Sequence, residues 1–200
     1  AGVKESYNGG TTWRDLKGSN DGTLTNGPVF DKTNGGSLVF DGSNDYVNCG
    51  QNFSITSNNS FSLSVWVSPS STGSWQGIFQ RGRNAGNWYG IWQNGSKFIF
   101  GISGSNLSSS LNLSVGLIYN VTVTQNTSGR KLYINGVVQS VTTAVYDTYV
   151  AMENTSLPLR SGRIGTSYHN GRIATLQIYK KELSAAEVVQ NYNALKDRFI

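Results

Sequence analysis

The sequence predicts an all-β, two-sheet antiparallel sandwich with one short C-terminal α-helix, and three observations carry that prediction. Short segments of alternating apolar and polar residues recur along the chain with the period of two that sets the opposite faces of a strand. Clusters of Gly, Asn, Asp and Ser separate them, including two Asn-Gly pairs suited to tight hairpins. A helical period occurs at the very end, behind a capping signature.

The elements follow in order. Residues 1–36 are dense in Gly, Asn, Asp and Thr, with Trp13, Leu16, Leu24, Val29 and Phe30 as scattered apolar anchors, so long loops and short strands are expected. Residues 37–50, SLVFDGSNDYVNCG, read as strand, turn and strand: Leu38 and Phe40 alternate with Ser37, Val39 and Asp41, Gly42-Ser43-Asn44 turns the chain, and Tyr46 and Val47 restart it. In residues 61–69, Phe61, Leu63, Val65 and Val67 share one face, and Trp66 is turned to the other with Ser62 and Ser64.

Further strands are expected at 77–80, 88–93, 97–102 and 117–124, the second and third joined at Asn94-Gly95. Asn135-Gly136 centres a hairpin over 130–141, and 161–165 and 171–179 supply the last strands. The helix spans about 184–196. Ser184 followed by Glu187 is a capping box, and Val188, Tyr192 and Leu195 recur at i, i+4 and i+7 with Val189 beside them.

Composition narrows the function. The 200 residues suit one domain, and only 14% are charged while 12% are aromatic, a turn-rich globular balance. The net charge is +5, yet the 16 Lys and Arg never run longer than two, with Arg81/Arg83, Arg130/Lys131 and Lys180/Lys181 as small pairs, which argues against a nucleic-acid partner. No apolar run approaches the roughly 18 residues of a membrane span, so membrane insertion is not expected. The one cysteine, Cys49, reads as a small buried hydrophobe.

The order FDGSNDYV, FSLSVWVSP, KLYINGVVQS and NGRIATLQIYKKELSAAEVVQNYNA resembles the LamG-like jelly roll of the concanavalin A-like lectin and glucanase superfamily. The opening GGTTWRDLKGSNDGTLTNGP is similar to the start of such domains in phage and bacterial surface proteins, and QNYNALKDRF is similar to their ends in tailed-phage virion proteins. The resemblance covers residues 1–200 as one jelly-roll domain, and it implies a first strand truncated at residue 1. Many members carry an acidic pair in the penultimate strand whose first carboxylate helps bind calcium. Ala174 and Thr175 stand at those positions, so the resemblance implies no cofactor and leaves Asp41 and Asp45 as the calcium candidates, against their reading as turn-formers.

The glycosidases among these relatives need two carboxylates on one scissile bond, on the laminarinase side as Glu-x-Asp-x-x-Glu. None of the 11 acids falls in that spacing, and the single histidine, His169, has neither a nucleophile elbow nor a second histidine. No enzyme is expected.

Sugar binding needs flat apolar faces and planar polar groups, and residues 75–93 hold both. Trp75, Phe79, Trp88, Tyr89 and Trp92 interleave with Gln76, Gln80, Arg81, Arg83, Asn84, Asn87 and Gln93. Trp88 and Trp92 also suit core packing. A second rim combines Tyr146, Asp147, Tyr149, Tyr168, His169 and Asn170. The candidate ligand contacts are Trp75, Arg81, Arg83, Asn84, Asn87, Trp88, Trp92, Tyr168 and His169.

The expected function is a non-catalytic adhesion or decoration domain on a virion surface or in another extracellular setting, in a capsid or tail fibre, with a host-surface glycan as partner. Two alternatives stand beside it. One is a structural virion domain docked on a neighbouring virion protein; the other is a carbohydrate-binding module of a secreted polysaccharide-degrading enzyme.

Overall fold

The computed structural model describes residues 5–51, 60–73, 75–82, 88–102, 105–140 and 157–200. In chain order the strands are β1 (Thr12–Trp13), β2 (Gly22–Thr25), β3 (Val29–Asp31), β4 (Ser37–Asp41), β5 (Tyr46–Asn48), β6 (Phe61–Pro69), β7 (Gln76–Arg81), β8 (Tyr89–Asn94) and β9 (Lys97–Ile102). They continue with β10 (Ser105–Ser108), β11 (Tyr119–Asn126), β12 (Gly129–Ile134), β13 (Val137–Val138), β14 (Leu159–Ser161), β15 (Arg163–Ile164), β16 (Ser167–Tyr168) and β17 (Asn170–Tyr179), and α1 (Ala185–Phe199) follows.

These strands form two large antiparallel sheets. One has the order β1-β2-β5-β14-β7-β8-β9-β10, the other β13-β12-β11-β6-β17-β4-β3, and β15-β16 is a separate small hairpin. Every ladder among the described residues is antiparallel, and neighbours within a sheet come from distant parts of the chain, as when β17 pairs with both β6 and β4. This is the expected two-sheet sandwich.

The core lies between the sheets and is filled by the alternate residues predicted to face it. Leu63, Val65 and Val67 of β6 and Val121 and Val123 of β11 meet Phe79, Ile91 and Phe100 from the facing sheet, all fully buried. Burying such side chains contributes roughly 1.5–3 kcal/mol each, and their number makes this the main source of stability. The early segment follows the expectation of short strands, with Trp13 and Leu24 in the core. Leu16 and Val29 are exposed instead: neither lies on a strand face turned inward.

The two Asn-Gly pairs expected at hairpins, Asn94-Gly95 and Asn135-Gly136, do mark them, but differently. Ile134 pairs with Val137, so Asn135-Gly136 occupies the two turn positions, and both residues have positive φ (52° and 79°), as a type I′ turn requires. The Asn135 side chain also accepts from the Asn120 backbone at 2.9 Å. At the other site Asn94 pairs with Lys97, which makes Gly95-Ser96 the turn and leaves Asn94 in the strand. The strand expected from residue 117 begins at Tyr119, and Leu117 is exposed.

The helix covers the outer face of the seven-stranded sheet. Ser184 Oγ accepts from Glu187 N at 3.2 Å and the Glu187 carboxylate accepts from Ser184 N at 2.8 Å, completing the capping box. Trp66 is indeed turned away from the core: it stacks on Tyr192 at 5.6 Å and packs against Phe199 at 4.9 Å, with Ala174 beneath. Ser62 Oγ holds the entry to the helix through Lys181 O and Leu183 N, and Arg198 donates to Gly35 O at its far end. Val188 is buried, whereas Val189 points to solvent.

The expected basic pair Arg130/Lys131 is split by the sheet. Lys131 is exposed, but Arg130 is buried and reaches from the seven-stranded sheet to β10 of the other, donating to Ser105 Oγ at 2.6 Å and Ser105 O at 3.1 Å. Cys49 packs against the core from a half-buried position, and burial pushes its thiol up to about 12. It stays a thiol near neutral pH, in keeping with a packing role.

Candidate functional site

With α1 on one outer face, the outer face of the eight-stranded sheet is the surface where residues 75–93 converge. Alternation decides which side chains reach it. In β8, Tyr89 and Ile91 point into the core, so Gly90 and Trp92 point outward. The same rule places Gln80 of β7, Arg160 of β14, and Tyr46 and Asn48 of β5 on that outer side, and the ladder aligns Asn48, Arg160, Gln80 and Gly90 in one row.

The β15–β16 hairpin lies directly on this face. A Cβ at Gly77 would stand 1.9 Å from Ile164 N and 2.2 Å from the Arg163 carbonyl carbon, so only glycine lets the hairpin approach. Gly162 N donates to Ile78 O at 2.8 Å and Gly165 N donates to Gln80 Oε1 at 2.9 Å. Of the second candidate rim, Tyr168 lies in this hairpin, which stands over Gly77, the ladder partner of Trp92.

Tryptophans lie on one side of the hairpin. Trp92 is fully buried, stacked under Trp75 at 5.4 Å and 18° and tilted against Trp88 at 5.5 Å. Its ring fills the space over Gly101, where an added Cβ would sit 2.4 Å from the ring edge. Trp75 remains 42% exposed and Trp88 is half-buried, so those two present aromatic surface while Trp92 supports it from below.

An arginine–tyrosine cluster lies on the other side. The Arg163 guanidinium carbon is 5.2 Å from the Tyr46 ring centroid and 5.3 Å from that of Tyr168, and Arg160 is 5.8 Å from Tyr46. All four side chains are half-buried. Arg163 Nε donates to Gly165 O at 2.6 Å, which fixes the guanidinium at the hairpin turn.

Several expected contacts are placed elsewhere. Arg81 is buried: it points inward with Tyr89, and its Nη2 donates to Gln51 O at 3.0 Å, so it closes one end of the core rather than meeting a ligand. Burial pushes Tyr89 up to about 12, against the opposing charge of Arg81. His169 is also fully buried, edge-on to Phe40 at 6.0 Å, where burial lowers its imidazole to about 4 against the Arg172 backbone, which raises it. It sits in the one-residue connection between β16 and β17 with its ring turned inward, closed to a ligand. Arg83, Asn84 and Asn87, with Tyr146, Asp147 and Tyr149, lie outside the described residues.

The interleaved glutamines, read as sugar-binding amides, act as internal staples. Gln93 Nε2 donates to Ser71 O at 2.7 Å and Gly95 O at 3.0 Å, and Gln76 Nε2 donates to Ser71 Oγ at 2.6 Å. Gln76 Oε1 accepts from Asn170 N at 3.0 Å. These buried amides bind the loop before Trp75 and the start of β17 to the sheet, a role that composition alone does not separate from surface recognition.

Asp41 and Asp45 shape their turn. Asp41 Oδ1 accepts from Ser43 N at 2.8 Å and Asn44 N at 3.3 Å, and the first of these bonds leads the causes that lower its carboxyl. Asp45 accepts from Asp41 N at 3.1 Å, and burial raises its carboxyl. Among the described residues no three His, Cys, Asp or Glu side chains converge in a metal-binding group. Ala174 is buried against Trp66 and Phe199 under the helix.

What these parts define is a two-sheet antiparallel sandwich with one face closed by a helix and the other built from aromatic and planar cationic groups. A family model described as Concanavalin A-like lectin/glucanases superfamily matches residues 41–189, and the chain belongs to that superfamily. No curated protein sequence matches it. Among solved structures it is similar to domain 4 of an extracellular arabinanase from Geobacillus stearothermophilus in complex with arabinotriose, at TM-score 0.61 and 19% identity over 84% of this chain and 80% of that one. It is also similar to a Trypanosoma rangeli sialidase, at TM-score 0.69 and 14% identity over 96% of this chain and 32% of that one. A third likeness is to the receptor-binding domain of botulinum neurotoxin type G, at TM-score 0.62 and 15% identity over 88% of this chain and 47% of that one. The chain thus spans about a third of the sialidase and about half of the toxin domain.

Proposed function

We propose that this chain is a non-catalytic glycan-binding module that acts outside the cell. The observation that carries the reading is the outer face of the eight-stranded sheet, where exposed Trp75 is held flat on buried Trp92 beside Trp88. A rigid aromatic plane of this kind suits the C–H face of a pyranose or furanose ring and loses little conformational freedom on binding. Support comes also from the similar arabinanase domain, which was solved with arabinotriose bound.

The non-catalytic part rests on the acids. None has the spacing of a glycosidase pair, and Asp41 and Asp45 are engaged in a turn away from the tryptophans. Termini similar to those of virion proteins favour display on a phage particle over attachment to a degradative enzyme.

A glycan array followed by calorimetry tests the reading. Binding of at least one saccharide is expected, with Trp75→Ala weakening it about tenfold, the equivalent of one lost stacking contact of about 1.4 kcal/mol. Absence of binding at millimolar sugar across the array would overturn it.

A further inference from the structure

We propose that the Arg160, Tyr46, Arg163 and Tyr168 cluster is a subsite for the carboxylate of an acidic sugar, so that the module selects anionic saccharides over neutral ones. The inference rests on the glycan-binding reading and adds the substrate class.

Two guanidinium groups are gathered on one face, and among the described residues neither has an ion-pair partner. Both ion pairs found among the described residues are elsewhere, Arg172 with Asp31 and Lys181 with Glu187. Asp45, next to Tyr46 in sequence, is buried and accepts from the Asp41 backbone. Arg160 Nε is shielded from water and has no hydrogen-bond partner among the described residues, and its guanidinium lies 5.8 Å from the Tyr46 ring centroid.

Holding the hairpin in place explains part of this arrangement. Arg163 Nε on Gly165 O and its stacking on two tyrosines would suffice for that. Arg160 is not needed for it, because β14 is already paired on both edges, with β5 and with β7. A guanidinium is a planar donor suited to a carboxylate, and packing Arg160 and Arg163 against the Tyr46 ring beforehand lowers the cost of binding. The subsite shares its face with Trp75, across the hairpin, so a saccharide chain can place one ring on the tryptophan and a charged ring on the arginines.

Calorimetry on the intact chain tests this with oligogalacturonate and its carboxyl-reduced form, with sialyllactose and lactose, and with poly-L-glutamate as a carboxylate polymer lacking sugar. At least one acidic sugar is expected to bind tenfold or more tighter than its neutral counterpart, with affinity falling as salt rises, and the responding pair tells a uronic from a sialic acid. Arg160→Gln and Arg163→Gln should remove that preference, with Arg160→Lys recovering part of it and Trp75→Ala weakening acidic and neutral sugars alike. The comparison of acidic with reduced sugar uses the unaltered protein, so it stands even if a variant fails to fold. Equal affinity for the acidic and neutral members of both pairs would overturn the subsite and leave glycan binding intact. Poly-L-glutamate bound as tightly as the acidic sugars would overturn it as simple charge attraction. Silence toward every sugar on the array would overturn the glycan reading itself.

Discussion

His169 shows what burial does to a single residue whose type suggests chemistry. Its imidazole is enclosed beside Phe40, and burial holds it at about 4 in the folded chain against 6.5 when free. The folded protein therefore binds fewer protons than the unfolded chain between those two values, and stability falls as pH falls through that window. At about 1.4 kcal/mol per unit, the loss between pH 6.5 and 4 reaches up to about 3 kcal/mol. Urea unfolding measured across this range should show the slope, and His169→Gln should flatten it; an unchanged slope would refute the assignment. Asp31 acts in a lower window. Hydrogen bonds from Thr33, with help from Arg172, hold it at about 2, so its contribution is present above the free value of 3.8 and is lost as pH falls toward 2.

At the scale of elements, the β15–β16 hairpin depends on the absence of one side chain. Gly77→Ala would put a methyl group into the backbone of Arg163 and Ile164, and since backbone cannot rotate away as a side chain does, the hairpin must lift. A loss of roughly 1–3 kcal/mol in stability is expected, together with loss of the acidic-sugar preference while Trp75 still engages neutral rings. Thermal unfolding and calorimetry on the same sample separate the two effects. The helix end offers a simpler case: Ser184→Ala removes the capping hydroxyl and should cost about 1 kcal/mol without touching either aromatic group.

These elements also show which signals the sequence carried. The capping box, the alternation in residues 61–69 and the Asn135-Gly136 turn are local patterns, and each defined its element because the physics behind it is local. The hairpin at 163–168 was legible only as a strand run, since what shapes it is a contact with Gly77, far away in the chain. The same holds within residues 75–93. Tryptophans and glutamines were visible as a cluster, but which of them reach the surface depends on the loops and strands packed over them. Trp75 stays exposed, Trp92 is covered by Trp75 and Trp88, and the glutamines turn inward to Ser71 and Asn170.

The whole molecule divides its labour between two outer faces. On the seven-stranded sheet, Trp66 forms the contact that attaches α1: its ring is fully buried between Tyr192 and Phe199 and contributes nothing to the core between the sheets. Removing it with Trp66→Ala leaves the sandwich core intact but opens a cavity beneath the helix, so a loss of roughly 3–5 kcal/mol is expected, with the helix freed first. Hydrogen exchange should then show early loss of protection in residues 185–199 while β6 and β11 stay protected. Because the aromatic and arginine groups stand on the other sheet, sugar affinity measured well below the unfolding temperature should stay within about twofold of the unaltered chain, as expected for sites without shared contacts. A parallel fall in affinity would mean that the helix-covered face takes part in recognition and that the division between the faces is wrong.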